Sequence, residues 1–435
     1  MARLTKNQVL NTLDGKTIKV VDKLGEGGQG IVYKIKCDNK FFALKWYKKC
    51  PPAAFYNNLK KNAEAGSPAE TFLWPLAITE KDTDGCFGYV MKLCPPSYKS
   101  LSQFLLNRVQ FSSLNAWINA GTQITASFKL LHNQGYSYQD LNDGNFFIDP
   151  SNGNVLICDN DNVAPNGTNL GILGKPRYMA PEVVSSSHLP DTYSDRFSLA
   201  VILFLLFFRG HPLEGKRDNC DKANNERDLF CDKPVFVYDP IDSSNRPKPI
   251  IHKNVETLWN VFPPFVQKEF VKAFDKNLMR SSGVGRGERV MEKEWLQMFK
   301  KLRHSIITCP KCKKETFFNM KKENYKCMEC DVNIAKPASL VIGKDIIPLQ
   351  PKRKLYSYEI DSTLELTIES INQEVGEVIE NPKKPGVWGL KNTSQTTWYR
   401  KTPGGKEFIC KPGEKVTIVR DNIIKFGTKG EGTIA

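Results

Sequence analysis

The sequence lacks a hydrophobic run long enough to cross a membrane. Its longest apolar stretch, Leu199 to Phe208, has ten residues, about half of the ~20 that a bilayer-spanning helix needs. Residues 1–7 contain no apolar signal core. Twelve cysteines in 435 residues are also too few for a disulfide scaffold. We therefore expect a cytoplasmic protein with reduced thiols and no membrane partner.

Acidic residues are fewer than basic residues. The chain has 62 Lys and Arg against 47 Asp and Glu, for a net charge of +15. This excess favours acidic partners such as nucleotides, nucleic acid or anionic surfaces, but it selects none of them. A hydrophobic content of 40% excludes disorder throughout. At roughly 100–200 residues per domain, the length predicts about two to four domains.

Local patterns change twice along the chain. Residues 18–21, 30–35 and 41–46 are short β-rich runs separated by Gly and Asp-Asn turns. Helical patterns dominate from Leu101 onward and include one predicted helix over 257–277. After Arg303 comes a segment rich in Cys and Lys, followed by many short strand patterns between Gly, Pro and Asn turns. The pattern predicts an α+β protein with a C-terminal all-β part.

A glycine-rich stretch lies between the first two predicted strands. Residues 25–32 read Gly-Glu-Gly-Gly-Gln-Gly-Ile-Val, so backbone without side chains could lie close over phosphates. No βαβ pattern follows, which separates this stretch from a dinucleotide-binding loop. Thirteen residues after Val32, Lys45 lies on a strand from which a lysine could reach the α- and β-phosphates.

Two carboxylate-bearing signatures follow in order. Residues 138–145 read Tyr-Gln-Asp-Leu-Asn-Asp-Gly-Asn and come after an amphipathic helix. The five-residue spacing of Asp140 and Asn145 lets one group meet a substrate hydroxyl while the other binds a metal. A buried strand pattern at 155–158 then leads to Asp159.

With these motifs in this order, residues 18–303 resemble the eukaryotic-like (Hanks-type) protein kinase family, in its bacterial multidomain type. The resemblance implies a two-lobed kinase fold over about 10–303, with ATP and Mg²⁺ between the lobes. It implies that Asp140 accepts the substrate hydroxyl proton, that Lys45 binds the α- and β-phosphates, and that Asn145 and Asp159 bind Mg²⁺.

The same resemblance implies an ATP pocket. The glycines would cover the phosphates, Val32 and Ala43 would sandwich adenine, and Met91 would close the back of the pocket. Residues 92–94 would form the hinge, whose backbone binds adenine. The implied nucleotide-binding residues are Gly25, Glu26, Gly27, Gly28, Gly30, Val32, Ala43, Lys45, Met91, Lys92 and Cys94.

Structural roles are implied for four further residues. Glu182 and Arg289 would form the ion pair of the large lobe, and Asp195 would anchor a helix N-terminus beneath the catalytic loop. Glu64 is the better-spaced of two candidates, with Glu70, for the glutamate that pairs with Lys45. If neither residue pairs, Lys45 is positioned in another way and a pseudokinase interpretation gains support.

The motifs depart from the family pattern at three places. Gln139 replaces the arginine that usually binds a phosphorylated activation segment, so we expect activity that does not depend on that phosphorylation. Asn142 replaces a lysine and removes one positive charge from the transferring phosphoryl group. Residues 159–161 read Asp-Asn-Asp, which retains the metal carboxylate but not the phenylalanine of the usual triplet.

Two Cys-x-x-Cys pairs lie in the segment 304–335. Thiolates on two tight knuckles can converge on one ion, and four thiolates suit tetrahedral Zn²⁺. We predict a structural zinc ribbon whose folding depends on the metal, rather than a redox pair. Its ligands would be Cys309, Cys312, Cys327 and Cys330.

The C-terminal region is predicted to contain a basic linker over 336–354 and a small β domain over 355–435. The strand spacing and the Ile-Lys-Phe-Gly sequence at 424–427 resemble forkhead-associated domains. The Arg…Ser-x-x-His and Asn-Gly pattern of a phosphothreonine reader is absent, so no binding role follows.

The leading functional hypothesis is an ATP-dependent serine/threonine kinase of protein substrates. Its zinc ribbon and β domain would recruit partners, such as a cognate phosphatase or regulatory protein. One alternative is a nucleotide-binding pseudokinase scaffold, which the loss of a lysine at Asn142 favours. Another is a nucleic-acid-binding regulator, which depends on the basic ribbon alone.

Overall fold

A computed structural model describes residues 3–171, 174–218, 225–319, 324–361, 363–364 and 366–435. Its N-terminal part is a six-stranded antiparallel sheet, the small lobe, with strands ordered first, second, third, fourth, sixth and fifth. The elements are β1 (Val9–Asn11), β2 (Thr17–Glu26), β3 (Gly30–Cys37), β4 (Lys40–Tyr47), α1 (Ala53–Ala65), β5 (Ala77–Ile78) and β6 (Gly88–Lys92).

Alternation of apolar and polar residues builds the small-lobe sheet. Ile18 and Val20 of β2 are buried, as are Ile31 and Ile35 of β3, and together they form one core on a single face. Residues two apart in a strand point to the same face, so this spacing fixes the register. The pairing of β3 with β4 places Val32 opposite Lys45.

Helices form most of the second unit, the large lobe. The apolar run Leu199 to Phe208 is buried throughout and lies at the centre of its core. The helices are α2 (Leu101–Leu105), α3 (Leu114–Asn133), α4 (Pro181–Val184), α5 (Thr192–Phe208), α6 (Asn225–Arg227), α7 (Lys253–Val261), α8 (Pro264–Ala273) and α9 (Glu292–His304). Short strands flank the loops between them: β7 (Lys99–Ser100), β8 (Tyr136–Ser137), β9 (Phe146–Ile148), β10 (Val155–Ile157) and β11 (Ala164–Pro165).

The single helix predicted over 257–277 is wrong. The structure divides it into α7 and α8 at Phe262 and Pro263. Proline lacks the N–H that a helix interior requires, and it disfavours helical backbone in the residue before it. Pro264 instead occupies the first turn of α8, where no N–H partner is needed.

Two β-hairpins follow α9 and form the ribbon. They comprise β12 (Ile306–Thr308) with β13 (Glu315–Phe317), and β14 (Asn324–Lys326) with β15 (Asn333–Ala335). The ribbon packs on the large lobe. Glu315 accepts hydrogen bonds from the backbone N and side-chain Nδ2 of Asn115, at 3.0 and 2.6 Å. The rings of Phe317 and Phe262 lie 5.3 Å apart.

The C-terminal part consists of two sheets that share one core. Leu340, Trp398 and Ile424 from the first sheet pack with Val378 and Leu390 from the second. The six-stranded sheet contains β16 (Ser339–Ile342), β17 (Asp345–Pro348), β21 (Trp398–Lys401), β22 (Glu407–Cys410), β24 (Ile423–Lys425) and β25 (Glu431–Ile434). The four-stranded sheet contains β18 (Lys354–Tyr356), β19 (Glu374–Glu380), β20 (Trp388–Asn392) and β23 (Lys415–Thr417), with helix α10 (Ser357–Ile360) after β18.

The basic linker predicted over 336–354 is therefore wrong for most of its length. Strands β16 and β17 pair with each other, and β16 also pairs with β25, the last strand of the chain. Leu340 and Ile347 are fully buried in the C-terminal core. The charges of this stretch lie largely in turns, while its apolar residues form sheet.

Helix α9 fixes the C-terminal part to the large lobe. His304 Nε2 lies 3.0 Å from Glu359 Oε1, and Lys300 forms an ion pair with Asp345 at 2.7 Å. Arg303 donates to the hydroxyl of Tyr358 at 3.3 Å.

In the part of the chain that the structure describes, no helix is both long and apolar enough to span a membrane.

Candidate active site

The glycine-rich stretch forms the hairpin between β2 and β3. The amide of Gly27 donates to the carbonyl of Gly30 at 2.9 Å. A Cβ at Gly30 would lie 2.6 Å from the carbonyl oxygen of Trp46, so only glycine lets β3 approach β4 this closely. A Cβ at Gly25, Gly27 or Gly28 would meet nothing within 4 Å. The open side of the hairpin therefore leaves room for a ligand.

Glu26 belongs to the hairpin but its carboxylate is already paired. It forms ion pairs with Lys23 at 2.6 Å and Lys48 at 2.7 Å. Hydrogen bonds from these two lysines lower the pKa of Glu26 to about 2. Glu26 therefore ties the hairpin to the small lobe, and its backbone alone remains to face a ligand.

An apolar cluster lies beneath the hairpin and includes side chains of both lobes. Ala43 of β4 and Met91 of β6 are buried, while Val32 of β3 is partly exposed beside them. Leu93, Cys94, Leu156 and Cys158 pack against the same cluster. Partly exposed apolar side chains around a cleft suit a flat, apolar ring such as adenine. Lys92 contributes only backbone here, because its side chain is exposed and lines a separate cavity with Trp74 and Leu76.

Lys45 lies on β4, and its ammonium contacts side chains from both lobes. Its ammonium lies 3.0 Å from Asp159 Oδ1 and 3.3 Å from Gln29 Oε1. The two oxygens of Asp161 lie 3.0 and 2.9 Å from it. Lys45 is 5% exposed and Asp161 is fully buried, so the pair is shielded from water. Although burial alone would lower the pKa of Lys45, Asp161 and Asp159 raise it, and the lysine stays charged.

The sequence-based choice of Glu64 as the partner of Lys45 is wrong. Glu64 is exposed near the end of α1 and forms no ion pair with Lys45. The buried face of α1 instead carries Asn58 and Asn62, whose side chains each donate to the carbonyl of Val163 at 2.8 Å. Residues two apart on a helix do not share a face, so Glu64 points away from this contact.

Two tyrosines complete the environment of Asp161. Tyr47 donates to Asp161 Oδ2 at 2.6 Å, and Tyr89 donates to Oδ1 at 3.3 Å. Burial raises the pKa of both tyrosines well above the usual value, so both remain hydrogen-bond donors. Asp161 is thus a buried carboxylate with a complete set of donors, which is what stabilises such a charge.

Asp195 positions the backbone of the loop that carries Asp140. Its carboxylate accepts the amide hydrogens of Tyr138 at 2.6 Å and Gln139 at 3.1 Å. Asp195 lies inside the first turn of α5 rather than at its start, because Asp191 caps that helix by accepting the amides of Tyr193 and Ser194. Asp195 thus lies beneath the loop, but the N-cap of α5 is Asp191.

A buried histidine supports Asp195. His132 Nε2 lies 3.1 Å from Asp195 Oδ2, and its Nδ1 lies 2.8 Å from Glu292 Oε1. Burial alone would lower the pKa of His132, but the hydrogen bonds to Asp195 and Glu292 outweigh it and raise the pKa to about 9. The imidazolium therefore links α3, α5 and α9 below the loop.

Asp140 lies at the mouth of the cleft. Its Oδ1 is 3.4 Å from Asn142 Nδ2, and its Oδ2 is 3.4 Å from Asn162 Nδ2. Burial raises the pKa of Asp140 to about 6; Lys175 lowers it in part and Asp159 adds to the rise. A carboxylate with this pKa can accept a proton near neutral pH.

Asn145 and Asp159 present oxygen ligands beside Asp140. Asn145 Nδ2 lies 3.4 Å from Asp159 Oδ2. The side chain of Asp159 is 43% exposed, whereas Asn145 is buried and its Oδ1 accepts the amide of Asn142 at 2.7 Å. Carboxylate and amide oxygens are the ligands that Mg²⁺ prefers, so these residue types fit that ion. The nitrogen of the Asn145 amide faces Asp159, so this amide would have to turn to offer its oxygen to the ion.

Gln139 holds the segment that follows Asp159. Its Nε2 donates to the backbone carbonyl of Thr168 at 2.5 Å and to the hydroxyl of Ser137 at 3.2 Å. Gln139 has φ +73° and Asp159 has φ +57°. Left-handed backbone at two residues of one cleft is typical of a functional site.

Glu182 and Arg289 form a bidentate ion pair in the large lobe. The two terminal guanidinium nitrogens of Arg289 each donate to a carboxylate oxygen of Glu182 at 2.7 Å, and both side chains are buried. Arg289 also donates to the carbonyl of Leu278. This pair anchors α4, and with it the end of the segment that follows Asp159.

The four ribbon cysteines form a separate cluster far along the chain. Their sulfur atoms all lie within 4.8 Å of one another. The Sγ atoms of Cys309 and Cys330, and those of Cys312 and Cys327, are 3.7 Å apart. A tetrahedral site with Zn–S of about 2.3 Å requires S–S distances of about 3.8 Å. The cluster therefore fits a zinc ion.

Local sequence patterns do not identify Asp161 as the partner of Lys45. In the sequence, residue 161 is notable only as the end of an unusual Asp-Asn-Asp triplet. The available signal was the combination of a carboxylate two residues after Asp159 with no acidic residue on the buried face of the helix over 53–65. Such a pair is separated by 116 residues, so no local spacing reveals it.

Comparison with known proteins covers the part of the site that carries Asp140, Asn145 and Asp159. A protein-family model described as "Protein kinase domain" matches residues 77–325. This covers more than half of the chain, although it begins after the glycine hairpin and Lys45.

Curated relatives bear related names. The chain is 26% identical over 320 residues to the Escherichia coli O157:H7 protein named "Protein kinase YegI", over 69% of this chain and 47% of that protein. It is 25% identical over 268 residues to "Cell cycle serine/threonine-protein kinase CDC5/MSD2" of Saccharomyces cerevisiae, over 56% and 37%. It is 29% identical over 256 residues to "Serine/threonine-protein kinase Sgk1" of Danio rerio, over 56% and 55%. The chain spans about half the length of these relatives, or less.

Proposed function

The chain belongs to the protein kinase family, and from that premise we propose that it is an active ATP-dependent kinase of serine and threonine in protein substrates. One observation carries the proposal. Lys45, Asp159 and Asn145 lie in contact with one another in series, and Asp140 lies nearby with its pKa raised to about 6, an arrangement that supports phosphoryl transfer. The serine/threonine preference draws on the names of distant relatives.

The nucleotide would lie under the glycine hairpin. Its adenine would fit between Val32 and Ala43, against Met91, with the backbone of residues 92–94 along one edge. Gly25, Gly27 and Gly28 leave space above the phosphates. Lys45, fixed by Asp161, would direct its ammonium at the α- and β-phosphates.

Asn145 and Asp159 would hold Mg²⁺, which the kinase family implies together with ATP. The bound ion supplies positive charge that offsets the charge of the phosphate oxygens. Lys45 forms ion pairs with both Asp159 and Asp161, so its charge does not depend on Asp159 alone. The side chain of Asp159 is 43% exposed, and its Oδ2 has only the long contact of 3.4 Å with Asn145 Nδ2, so this oxygen would be the one to bind the ion.

Phosphoryl transfer would proceed by in-line displacement. The substrate hydroxyl oxygen forms a bond to the γ-phosphorus, and the bond between that phosphorus and the β–γ bridging oxygen breaks, which releases ADP. The hydroxyl proton passes to Asp140. The raised pKa of Asp140 suits this role, since a stronger base accepts the proton more readily.

The alternative is a pseudokinase scaffold. It would be favoured if Lys45 had no acidic partner, and helix α1 provides none. The contact of Lys45 with Asp161 supports the enzyme instead, because it supplies a buried carboxylate by another route. The alternative of a nucleic-acid-binding regulator has no comparable support. Lys314 and Lys326 of the ribbon are paired with Glu329 and Asp331.

The ribbon and the C-terminal β part would serve partner docking. We assign the kinase domain to about 10–303, a zinc ribbon to 304–335 and, in place of a linker, a β domain that begins with β16 at Ser339. Contacts of Arg303 and His304 fix this β domain to α9. A partner such as a protein substrate or a cognate phosphatase would therefore be presented at a fixed position on the large lobe.

The test is incubation of the purified chain with γ-labelled ATP, Mg²⁺ and a generic protein acceptor. The native protein should transfer label to serine and threonine, and Asp140→Asn should reduce the rate about a thousandfold. Nucleotide binding should persist in Asp140→Asn, since the proposed role of this residue is toward the substrate hydroxyl and not toward the phosphates. Equal labelling by both proteins would overturn the proposal.

A further inference from the structure

The catalytic loop lacks a basic side chain at the position two residues after Asp140. Asn142 lies there, buried, and its side chain is used within the loop. Its Oδ1 accepts the amide of Gly144 at 3.1 Å, and its Nδ2 lies 3.3 Å from the carbonyl of Asp140. Asn142 therefore shapes the loop but brings no charge to it.

A lysine from another segment comes to this position. Lys175 belongs to the segment between Asp159 and α4, and its Nζ lies 3.5 Å from Asn142 Oδ1. Among the described residues no carboxylate pairs with Lys175, and its side chain is exposed. The neighbouring Arg177, by contrast, is engaged by Glu214 at 2.5 and 2.8 Å. Lys175 is thus an unneutralised cation at the edge of the cleft.

The backbone before Lys175 is built for close approach to Asp140. Gly174 has φ +89°, in the left-handed region that favours glycine. A Cβ at this position would lie 3.3 Å from Asp140 Oδ1 and 3.4 Å from the carbonyl of Gln139. A larger residue would be strained in backbone and crowded against the carboxylate. Glycine therefore brings the chain against Asp140 and leaves Lys175 beside it.

The charge of Lys175 acts on Asp140. Burial is the main influence on the pKa of Asp140 and raises it, whereas Lys175 is the strongest influence that lowers it, ahead of Lys45. An ammonium that stabilises the Asp140 carboxylate lies within reach of the groups that react there. A cation at this point would also stabilise charge on a phosphoryl group in transfer to a hydroxyl beside Asp140.

We propose that Lys175 supplies to the transferring phosphoryl group the positive charge that Asn142 lacks. The inference depends on the proposed kinase function and names a further catalytic residue for it. In this chain the cation lies on the segment between Asp159 and α4 rather than in the catalytic loop. Gly174 allows that segment to approach Asp140 closely. Lys175 is exposed, and no carboxylate of the described residues forms an ion pair with it. Its contact with Asn142 is long, at 3.5 Å, so its ammonium is free to turn toward the phosphoryl oxygens.

The test measures steady-state transfer from γ-labelled ATP at varied ATP for native protein, Lys175→Ala and Lys175→Arg. Lys175→Ala should lower kcat about a hundredfold, as loss of one charge-stabilising donor does, with KM for ATP within about twofold. Lys175→Arg should retain most of the rate. The acid limb of the kcat/KM profile should move to higher pH in Lys175→Ala, since the cation that lowers the pKa of Asp140 is gone.

A second variant returns the charge to the loop. Asn142→Lys in the Lys175→Ala background should restore at least about a tenth of the native kcat, whereas Lys268→Ala, an exposed lysine on α8, should leave kcat unchanged. Native kcat in Lys175→Ala, or a loss that appears in KM alone, would overturn the inference and leave the proposed function intact. No transfer by the native protein, with its nucleotide bound, would overturn both.

Discussion

The two carboxylate oxygens of Asp161 lie 3.0 and 2.9 Å from the ammonium nitrogen of Lys45, across 116 residues of chain. Because both groups are buried, each depends on the other for its charge. Helix α1 takes no part in this pair and is joined to the site through Asn58 and Asn62. The position of Lys45 is therefore set by the strand and loop around Asp161.

Removal of the Asp161 charge should damage both stability and transfer. Asp161→Asn leaves buried Lys45 with Asp159 alone, and the loss of one partner of a buried pair typically costs about 3 kcal/mol of unfolding free energy. We also expect a fall of about a hundredfold in transfer rate, since displacement of Lys45 misplaces the phosphates. Urea unfolding and labelled-ATP kinetics measure the two effects.

Glu64→Gln is the matched control for Asp161→Asn. Glu64 is exposed on α1, so this change should leave the urea midpoint and the transfer rate at native values. The urea midpoint and the transfer rate of Tyr47→Phe should lie between those of Asp161→Asn and Glu64→Gln. This variant removes one hydrogen bond to Asp161, worth about 1 kcal/mol. A larger loss from Glu64→Gln than from Asp161→Asn would reverse our assignment of the pair.

Transfer should decline in acid as Asp140 takes up a proton. Its pKa is raised to about 6 by burial, and the protonated form cannot accept the substrate proton. The rate constant kcat/KM should therefore be constant near pH 8 and fall about tenfold by about pH 5. A profile that stays flat across this range would show that Asp140 is not the proton acceptor.

Phosphorylation of the segment after Asp159 should not be required. Gln139 reaches the backbone carbonyl of Thr168, a contact that needs no charge on the threonine side chain. Thr168→Ala keeps that carbonyl and should leave the rate within about twofold, whereas Gln139→Ala loses a hydrogen bond of about 1 kcal/mol and should lower the rate about fivefold.

The comparison of Thr168→Ala with Gln139→Ala is the decisive one for this segment. Both variants are assayed with labelled ATP after treatment with a phosphatase. A loss of about a hundredfold in Thr168→Ala would mean that a phosphate at Thr168 orders the segment through a basic group.

The cysteine cluster should contain one zinc ion per chain. Thiolate ligation couples the ion to folding, and Ile306 and Phe317 join the ribbon to the large-lobe core. Cys309→Ser should lower metal content and unfold the ribbon while nucleotide binding persists, as elemental analysis and hydrogen exchange would report. Cys410→Ser, a buried cysteine outside the cluster, is the control for metal content. Absence of stoichiometric metal from native protein, with four reactive thiols, would contradict this prediction.

Local sequence patterns predict much of the fold around the site. The bounds of α1 and α3 follow from apolar periodicity and from the turn residues that end it, such as Gly66 and Gly135. Strands of the C-terminal part are harder to predict where basic residues flank them. Strands β16 and β17 are four residues each, and the flanking lysines and prolines suggested a linker.

Contacts between distant segments are what the sequence could not reveal. A local spacing placed Asp140 and Asn145 together, because both lie on one loop. Asp161 and Lys175 reach the cleft from other segments, and their partners are fixed by tertiary packing rather than by periodicity. The sequence shows that Asn142 replaces a lysine of the family pattern. It does not show that Lys175, from another segment, lies beside Asn142.

The most direct measurement of the central claim is a single-turnover experiment with enzyme in excess over γ-labelled ATP and Mg²⁺. The proposed function predicts that label moves from ATP to protein serine and threonine as ADP appears in equal amount, and that Asp140→Asn binds the nucleotide but leaves the label on ATP. Bound nucleotide that remains intact in the native protein, as in Asp140→Asn, would contradict the claim that the cleft transfers phosphate.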